Sequence, residues 1–180
     1  MSSVQFYESI KKDSTNTLNS TWVLWYHDIK NTEWTLESYI RIAEFNTIED
    51  FWKLYLNIKP DLITNGMFFL MRDTILPIWE DKNNINGGYW SFKISINHIH
   101  NAWNEISIAL IGENILKDKT NIYTINGISI SPKKNFCIIK IWNSDTLVNS
   151  NAKDILNKNI LLFNFEEALY KSHNTITTPE

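Results

Sequence analysis

The stretch Tyr39-Ile-Arg-Ile-Ala-Glu-Phe-Asn-Thr-Ile-Glu-Asp-Phe-Trp-Lys-Leu-Tyr55 passes from one kind of regular structure into another. Tyr39–Phe45 alternates apolar and polar side chains with only a slight break, the pattern of a half-buried strand. Thr47-Ile48-Glu49-Asp50 then reads as a capping box, a Thr cap with a carboxylate three residues on. Phe51, Trp52, Leu54 and Tyr55 follow at helical spacing, and the helix is expected to end near Pro60. A strand that runs into a capped helix makes the chain mixed, and its flanks decide which mixed class.

Toward the N-terminus, Thr21–His27 (TWVLWYH) is dense in β-branched and aromatic residues and reads as a strand. Asp28–Glu33 reads as a polar loop, and residues 1–16 as a flexible arm. Toward the C-terminus, Met67–Arg72 is a short apolar strand, and Pro77–Gly88 a long polar loop. Tyr89–Ile96 alternates again. His100–Ile111 carries Trp103, Ile106 and Leu110 at helical spacing, with Gly112 as its stop. Asn126–Ser131 and Phe136–Trp142 read as a hairpin around Pro132–Asn135. Ala152–Asn157 reads as a short helix, and Ile160–Phe165 as a last strand. Many strands, about three helices and no strict β-α-β alternation predict an α+β fold. The expected form is a single curved, cupped antiparallel β-sheet with the helices on its convex face. One folded domain is expected over residues 17–166, with a loose tail over 167–180.

Composition narrows the function. The 180 residues are 43% hydrophobic and 21% charged, with five Gly and four Pro, an ordinary globular make-up. The net charge of −3 argues against broad adhesion to nucleic acid. A single cysteine, Cys137, no visible secretory signal and no bilayer-length apolar run lead to the expectation of a cytoplasmic monomer away from membranes. No phosphate loop, dinucleotide fingerprint or nucleophile elbow is present. His98 and His100 alternate but lack further ligands nearby, and Cys137 sits in an apolar strand as an inert thiol. No catalytic group, metal site or cofactor is therefore expected.

The eight Trp residues are many for this length. Trp22, Trp25, Trp90, Trp103 and Trp142 lie on expected strands or a helix and are expected to pack in the core. Trp34 and Trp79 lie in polar loops, and Glu80 follows Trp79 directly. Two loop indoles beside a carboxylate suit a flat cationic ring, because stacking contributes roughly 1–3 kcal/mol per base and positive charge adds a cation–π attraction. A carboxylate accepts two parallel N–H bonds, which matches the N1–H and exocyclic amine of guanine. Nearby lysines would meet phosphates as point charges.

Several ordered blocks resemble the cap-binding translation initiation factor 4E family. Trp22-Val-Leu-Trp25 followed by Trp34 is similar to its W-x-L-W-F…W opening, and Thr47-Ile-Glu-Asp-Phe-Trp52-Lys-Leu-Tyr55 to its T-V-E-D-F-W-x-L-Y helix. Pro77-Ile-Trp79-Glu80-Asp81 with Asn86-Gly-Gly-Tyr-Trp90 resembles P-x-W-E-D…GG-x-W. Trp103-Asn-Glu105 with Leu110-Ile-Gly-Glu113 resembles W-x-E…LIGE, and Gly127–Trp142 keeps the family spacing to its last tryptophan.

The resemblance implies a non-catalytic protein that binds the 7-methylguanosine cap of mRNA and recruits it for translation. It implies that Trp34 and Trp79 sandwich the methylated base, Glu80 binds its edge, and Trp142 lies near the methyl group. Lys133 falls on a phosphate-binding Arg, and Lys134 could share its role. It also implies a surface for a helical peptide of a 4G-like scaffold or repressor, with Trp52 as anchor and Leu18, Ile48, Glu105 and Ile108 as further contacts. Tyr89 and Ile138 stand where the family has phosphate-binding basic residues, Ser131 where it has Asn, and Asn104 at an apolar contact. Lys82, Lys93, Lys140 and Lys171 are candidate replacements, and Lys171 and His173 could instead touch the next nucleotide. These departures keep two alternatives open. One is an interaction protein with weakened cap binding, and the other a translational competitor that binds caps but no scaffold.

Overall fold

The computed structural model describes residues 15–146 and 151–175. Most of the expected arm, residues 1–14, lies outside the described residues. Within them, seven strands form one antiparallel sheet in the order β2-β1-β3-β5-β6-β4-β7. The strands are β1 (Thr17–Asp28), β2 (Tyr39–Thr47), β3 (Gly66–Arg72), β4 (Gly88–Ser95), β5 (Ile125–Pro132), β6 (Phe136–Asn143) and β7 (Leu169–Ser172). The α-helices are α1 (Ile48–Tyr55), α2 (Pro60–Asn65), α3 (Ile99–Ile111) and α4 (Ala152–Ile155).

The two-residue period of the strands sorts the side chains between the faces. Trp22 and Leu24 of β1, Phe68 and Leu70 of β3, Ile128 and Ile130 of β5, Ile139 and Ile141 of β6, and Trp90 and Phe92 of β4 form one face. They share a continuous core with Phe51 and Tyr55 of α1, Ile63 of α2, and Trp103, Ile106 and Leu110 of α3. The opposite parity points the other way. Met67, Phe69 and Met71 of β3 and Trp142 of β6 form a second apolar cluster with Ile75, against which Trp25, Tyr39 and Trp79 pack. The helices therefore cover one face and leave the other for a site.

Local chemistry explains the helix ends. Thr47 caps α1, its Oγ1 accepting the Asp50 N–H at 3.1 Å. Glu49 accepts the backbone and side-chain N–H groups of Asn16, so the last residue of the expected arm is tied to α1. Helix α3 stops at Gly112 as expected, but the left-handed residue is Glu113, with φ of 51°. Glu113 N–H donates to Leu110 O and Asn114 N–H to Ala109 O, a Schellman pair. A side chain in this conformation is held by its partners. The Glu113 carboxylate receives Asn19 and Ser20, and Arg72 lies 3.6 Å away.

Several expectations are corrected. Ile160–Phe165 is not a strand. Ile160 and Phe163 are buried, but the backbone N–H groups of Leu161 and Leu162 donate to the Glu105 carboxylate of α3, at 2.8 and 3.0 Å, instead of to a neighbouring strand. The last strand is β7, inside the stretch expected as a loose tail. It pairs with Gly88–Ser91, and His173 just beyond it is fully buried. Helix α2 begins at the proline expected to end a helix, because Pro at the first helical position gives up no hydrogen bond. Trp25 leaves the helix-side core for the opposite cluster, as its odd parity requires.

Candidate functional site

The open face holds a cavity of about 450 Å³. It is bordered by the loop after β1, the loop between β3 and β4, and strands β3, β5 and β6. Of the residues anticipated from sequence, Trp34, Trp79, Glu80, Lys133 and Trp142 all line it.

Trp34 stands near the middle of the β1–β2 loop and is 54% exposed. Its indole lies parallel to the imidazole of the fully buried His27, with 4.4 Å between centroids and 4° between planes. His27 Nε2 is 2.9 Å from Glu33 O, which fastens the loop one residue before Trp34. Within the loop, Asp28 Oδ1 accepts the Lys30 N–H and Asn31 Oδ1 the Glu33 N–H, two Asx turns that compact the first half of the ten-residue connection. The Tyr39 ring meets His27 edge-on at 4.8 Å and Phe69 at 5.2 Å.

Trp79 and Glu80 ride on the β3–β4 loop, which lacks regular structure but not order. The Asp81 carboxylate accepts the backbone N–H groups of Leu76 and Asn83. The buried Asn84 amide donates to Leu76 O and Ile78 O, at 3.0 and 2.7 Å, and Asn126 of β5 clamps the loop through Asn83 O and Asn84 Oδ1. The loop rejoins the sheet through Gly87 and Gly88. A Cβ on Gly87 would lie 1.8 Å from Asn143 O, and one on Gly88 2.4 Å from Lys171 O. Trp79 is half-buried against the open-face cluster, whereas Glu80 is exposed. Burial, with the Glu80 charge adding to it, pushes the Tyr39 hydroxyl up to about 12.

Trp142 is buried beneath the cavity, its Nε1–H donating to Ser129 Oγ at 2.9 Å. Phe69, Tyr89 and His173 surround its ring at 6.3, 6.1 and 5.0 Å between centroids. Indole walls, an acidic edge and a lysine rim suit a flat ring carrying anionic groups.

Two placements differ from expectation. Lys134 is not in the cavity. It borders a separate depression with Lys93, Ser95 and Phe136, because consecutive residues of the β5–β6 turn point different ways. Lys140, anticipated only as one of four possible replacements, does line the cavity. It lies two residues before Trp142 on the same strand and so shares its face. Ile138, two residues earlier again, supplies no charge to that row. The His98–His100 pair gathers no metal ligands: among the described residues no three His, Cys, Asp or Glu side chains form a metal-binding group. Cys137 is buried, and that burial pushes its thiol up.

On the helix side, Ile48, Trp52 and Ile108 are exposed, Trp52 by 42%, and Leu18 is half-buried against the core. Tyr55 of α1 donates to Ser107 Oγ of α3 at 2.7 Å, joining the two helices that carry Trp52 and Ile108. Glu105 is occupied by the backbone of Leu161 and Leu162.

Fold and cavity together give an α+β protein with an aromatic-walled cavity on the open face of its sheet. The family model described as "Eukaryotic initiation factor 4E" matches residues 17–180. The chain is 34% identical over 137 residues to eukaryotic translation initiation factor 4E of Eremothecium gossypii, covering 72% of this chain and 63% of that protein. It is 34% identical over 138 residues to the factor of Candida albicans, covering 71% and 64%. The aligned stretches thus span just under two thirds of these relatives. Among solved structures, Ascaris suum eIF4E-3 with m7G cap is similar, with a TM-score of 0.67 and 27% identity over 77% of this chain and 78% of that one. The fold also matches C. elegans eIF4E-3 in complex with the 4E-binding protein Mextli, with a TM-score of 0.78 and 24% identity over 92% and 98% of the two chains. The chain belongs to the eukaryotic initiation factor 4E family.

Proposed function

We propose that this protein binds the 7-methylguanosine end of capped mRNA, performs no chemistry on it, and recruits it for translation initiation in the cytoplasm. The observation that carries the proposal is the convergence of Trp34, Trp79 and Glu80 on one cavity with lysines at its rim. The two indoles stack on the cationic base, and Glu80 accepts its N1–H and amine protons. Retention on a 7-methyl-GTP resin, with elution by free 7-methyl-GTP but not by GTP, tests it. Failure to be retained contradicts it.

Recruitment is assigned to the helix side, where Trp52, Ile48 and Ile108 offer an apolar anchor set for a helical peptide of a 4G-like scaffold or repressor. A second reading, a competitor that holds caps but no scaffold, is favoured by one observation: Glu105 already accepts two backbone N–H groups of its own chain. Capture of a scaffold peptide by wild type and not by Trp52→Ala supports recruitment. Cap binding without any peptide capture supports the competitor.

A further inference from the structure

A second cavity, of about 420 Å³, stands open on the helix side of the sheet, between α1, α2 and strands β1 and β2. Leu24, Tyr26, Ile42, Leu54, Ile58 and Leu62 line it. Its walls are set by specific features of the backbone. Leu24 pairs with Ala43 and Trp25 with Arg41, so Ile42 is an extra residue, a β-bulge that turns its side chain into the groove. The Tyr26 ring meets Phe68 edge-on at 5.4 Å and lies over Gly66, where a Cβ would come within 2.2 Å of Tyr26 Cε2. The amides on the rim, Asn57 and Asn65, donate to Lys53 O and Asp61 O within their own helical segments. The groove therefore offers shape and apolar surface. Ile42 and Leu62 at its mouth are 47% and 46% exposed. A continuous apolar hollow of this kind marks a surface that something covers.

The chain itself carries a segment of the right chemistry at the right place. Residues 1–14 lie outside the described residues, and the stretch matched by the family model begins at residue 17. The segment includes Val4, Phe6, Tyr7 and Ile10, four apolar side chains within seven residues. It joins the fold at a fixed point. Asn16 binds the Glu49 carboxylate through its backbone and side-chain N–H groups, and its carbonyl accepts the Ile48 N–H at 2.9 Å. Leu54 of the groove lies five residues past Glu49 on α1, about 8 Å at the helical rise. Extended chain from Asn16 reaches about 20 Å by Ile10 and about 33 Å by Phe6. The segment also leads directly into β1, whose Leu24 and Tyr26 line the groove, whereas the C-terminal residues leave from β7 at the opposite edge of the sheet.

We infer that Val4–Ile10 of this chain folds back along α1 and fills the groove, with the Phe6 and Tyr7 rings as its anchors. Two aromatic rings bury the largest apolar area that a segment this short can supply. The groove is then a self-docking surface, and any partner that uses it must first displace the chain's own N-terminal segment.

A nitroxide spin label on the exposed Lys59→Cys, at the start of α2 beside the groove, tests it in the full-length ¹⁵N-labelled chain. Cys137 is buried, which confines the label to position 59. The amide signals of Val4–Ile10 should lose most of their intensity relative to the reduced label. They should regain it when Ile42→Glu puts a charge in the groove, and equally when Phe6→Ser and Tyr7→Ser remove the anchors without touching the described fold. Signals that the label leaves unchanged overturn the inference. So does a loss that persists in both sets of variants, since the segment would then lie near the groove without occupying it. A mixture of spin-labelled chain without ¹⁵N and ¹⁵N-labelled chain without the spin label separates the remaining occupant: signal loss there means that a second copy supplies the segment, which also overturns folding back within one chain.

Discussion

The imidazole of His27 and the indole of Trp34 lie flat against each other, 4.4 Å apart and 4° from parallel. The relationship ties a buried strand residue to an exposed loop residue, and it fixes the plane of one cavity wall before any ligand arrives. His27 Nε2 bonded to Glu33 O completes the brace. Pre-setting the indole spares a ligand the cost of ordering it. His27→Ala is therefore expected to weaken 7-methyl-GTP binding about tenfold by freeing one rotamer-rich wall and its loop. His27→Phe, which keeps the stack but not the hydrogen bond, should lose less. Isothermal titration of both variants checks the order. Equal affinities for His27→Ala and wild type would show that Trp34 needs no brace.

Arg72 is the buried hub at the far end of β1 and β3. Its Nε donates to Ile125 O at 2.9 Å, its guanidinium reaches Ser20 Oγ and lies 3.6 Å from Glu113, and it covers the Trp22 ring at 4.7 Å. Removing it takes the counter-charge from the Glu113 carboxylate, which keeps only the neutral donors Asn19 and Ser20, and leaves two carbonyl groups short of a donor. Arg72→Met should cost about 3 kcal/mol of stability or more. Denaturant unfolding with an unchanged slope would show it. The double variant with Glu113→Gln should recover part of the loss, since no buried charge is then left alone.

Acid should destabilise the fold through His173. Burial and Lys140 hold its folded pKa at about 4, below the ordinary histidine value of 6.5. The unfolded chain then binds a proton that the folded chain refuses between those values, so stability falls as pH drops from 6.5 toward 4. Comparing melting temperatures across that window for wild type and His173→Phe isolates the effect. The variant should show the shallower decline, and parallel curves would remove His173 as the cause.

Trp52 is a separate matter from the cavity, on the other face of the sheet. Trp52→Ala should leave 7-methyl-GTP affinity within about twofold of wild type, because distant sites act independently. It should abolish binding of a helical scaffold peptide, as loss of an aromatic anchor does. Fluorescence anisotropy of a labelled peptide reads the second effect. Loss of both activities would mean that Trp52 supports the fold.

Much of the architecture was legible because strand parity and helix capping are local signals. Thr47 and Asp50 marked the start of α1, and alternation in Tyr89–Ile96 sorted Trp90 and Phe92 to the core. What escaped depends on partners far along the chain. Leu169–Ser172 is short and half polar, and only pairing with Gly88–Ser91 makes it a strand. Ile160–Phe165 has the apolar content of a strand, yet its backbone is taken up by Glu105. The same holds at the site. Trp34, Trp79 and Glu80 stood out as aromatic and acidic residues in polar loops. Lys140 shares a face with Trp142 by simple alternation. That its ammonium lies over the Tyr89 ring, next to the strand that carries Lys171, depends on the β6–β4–β7 register.

The central claim is that the cavity selects a methylated, positively charged guanine. Equilibrium titration of tryptophan fluorescence with 7-methyl-GTP and with GTP, on wild type and on Glu80→Gln, tests it most directly. Wild type should be quenched by 7-methyl-GTP with an affinity about tenfold or more above that for GTP, the share that a cation–π contact contributes. Glu80→Gln should bind 7-methyl-GTP more weakly while keeping a preference for the methylated ring, since stacking survives the loss of the carboxylate. Equal affinities of wild type for the two nucleotides, or full-strength binding by Glu80→Gln, would contradict the account.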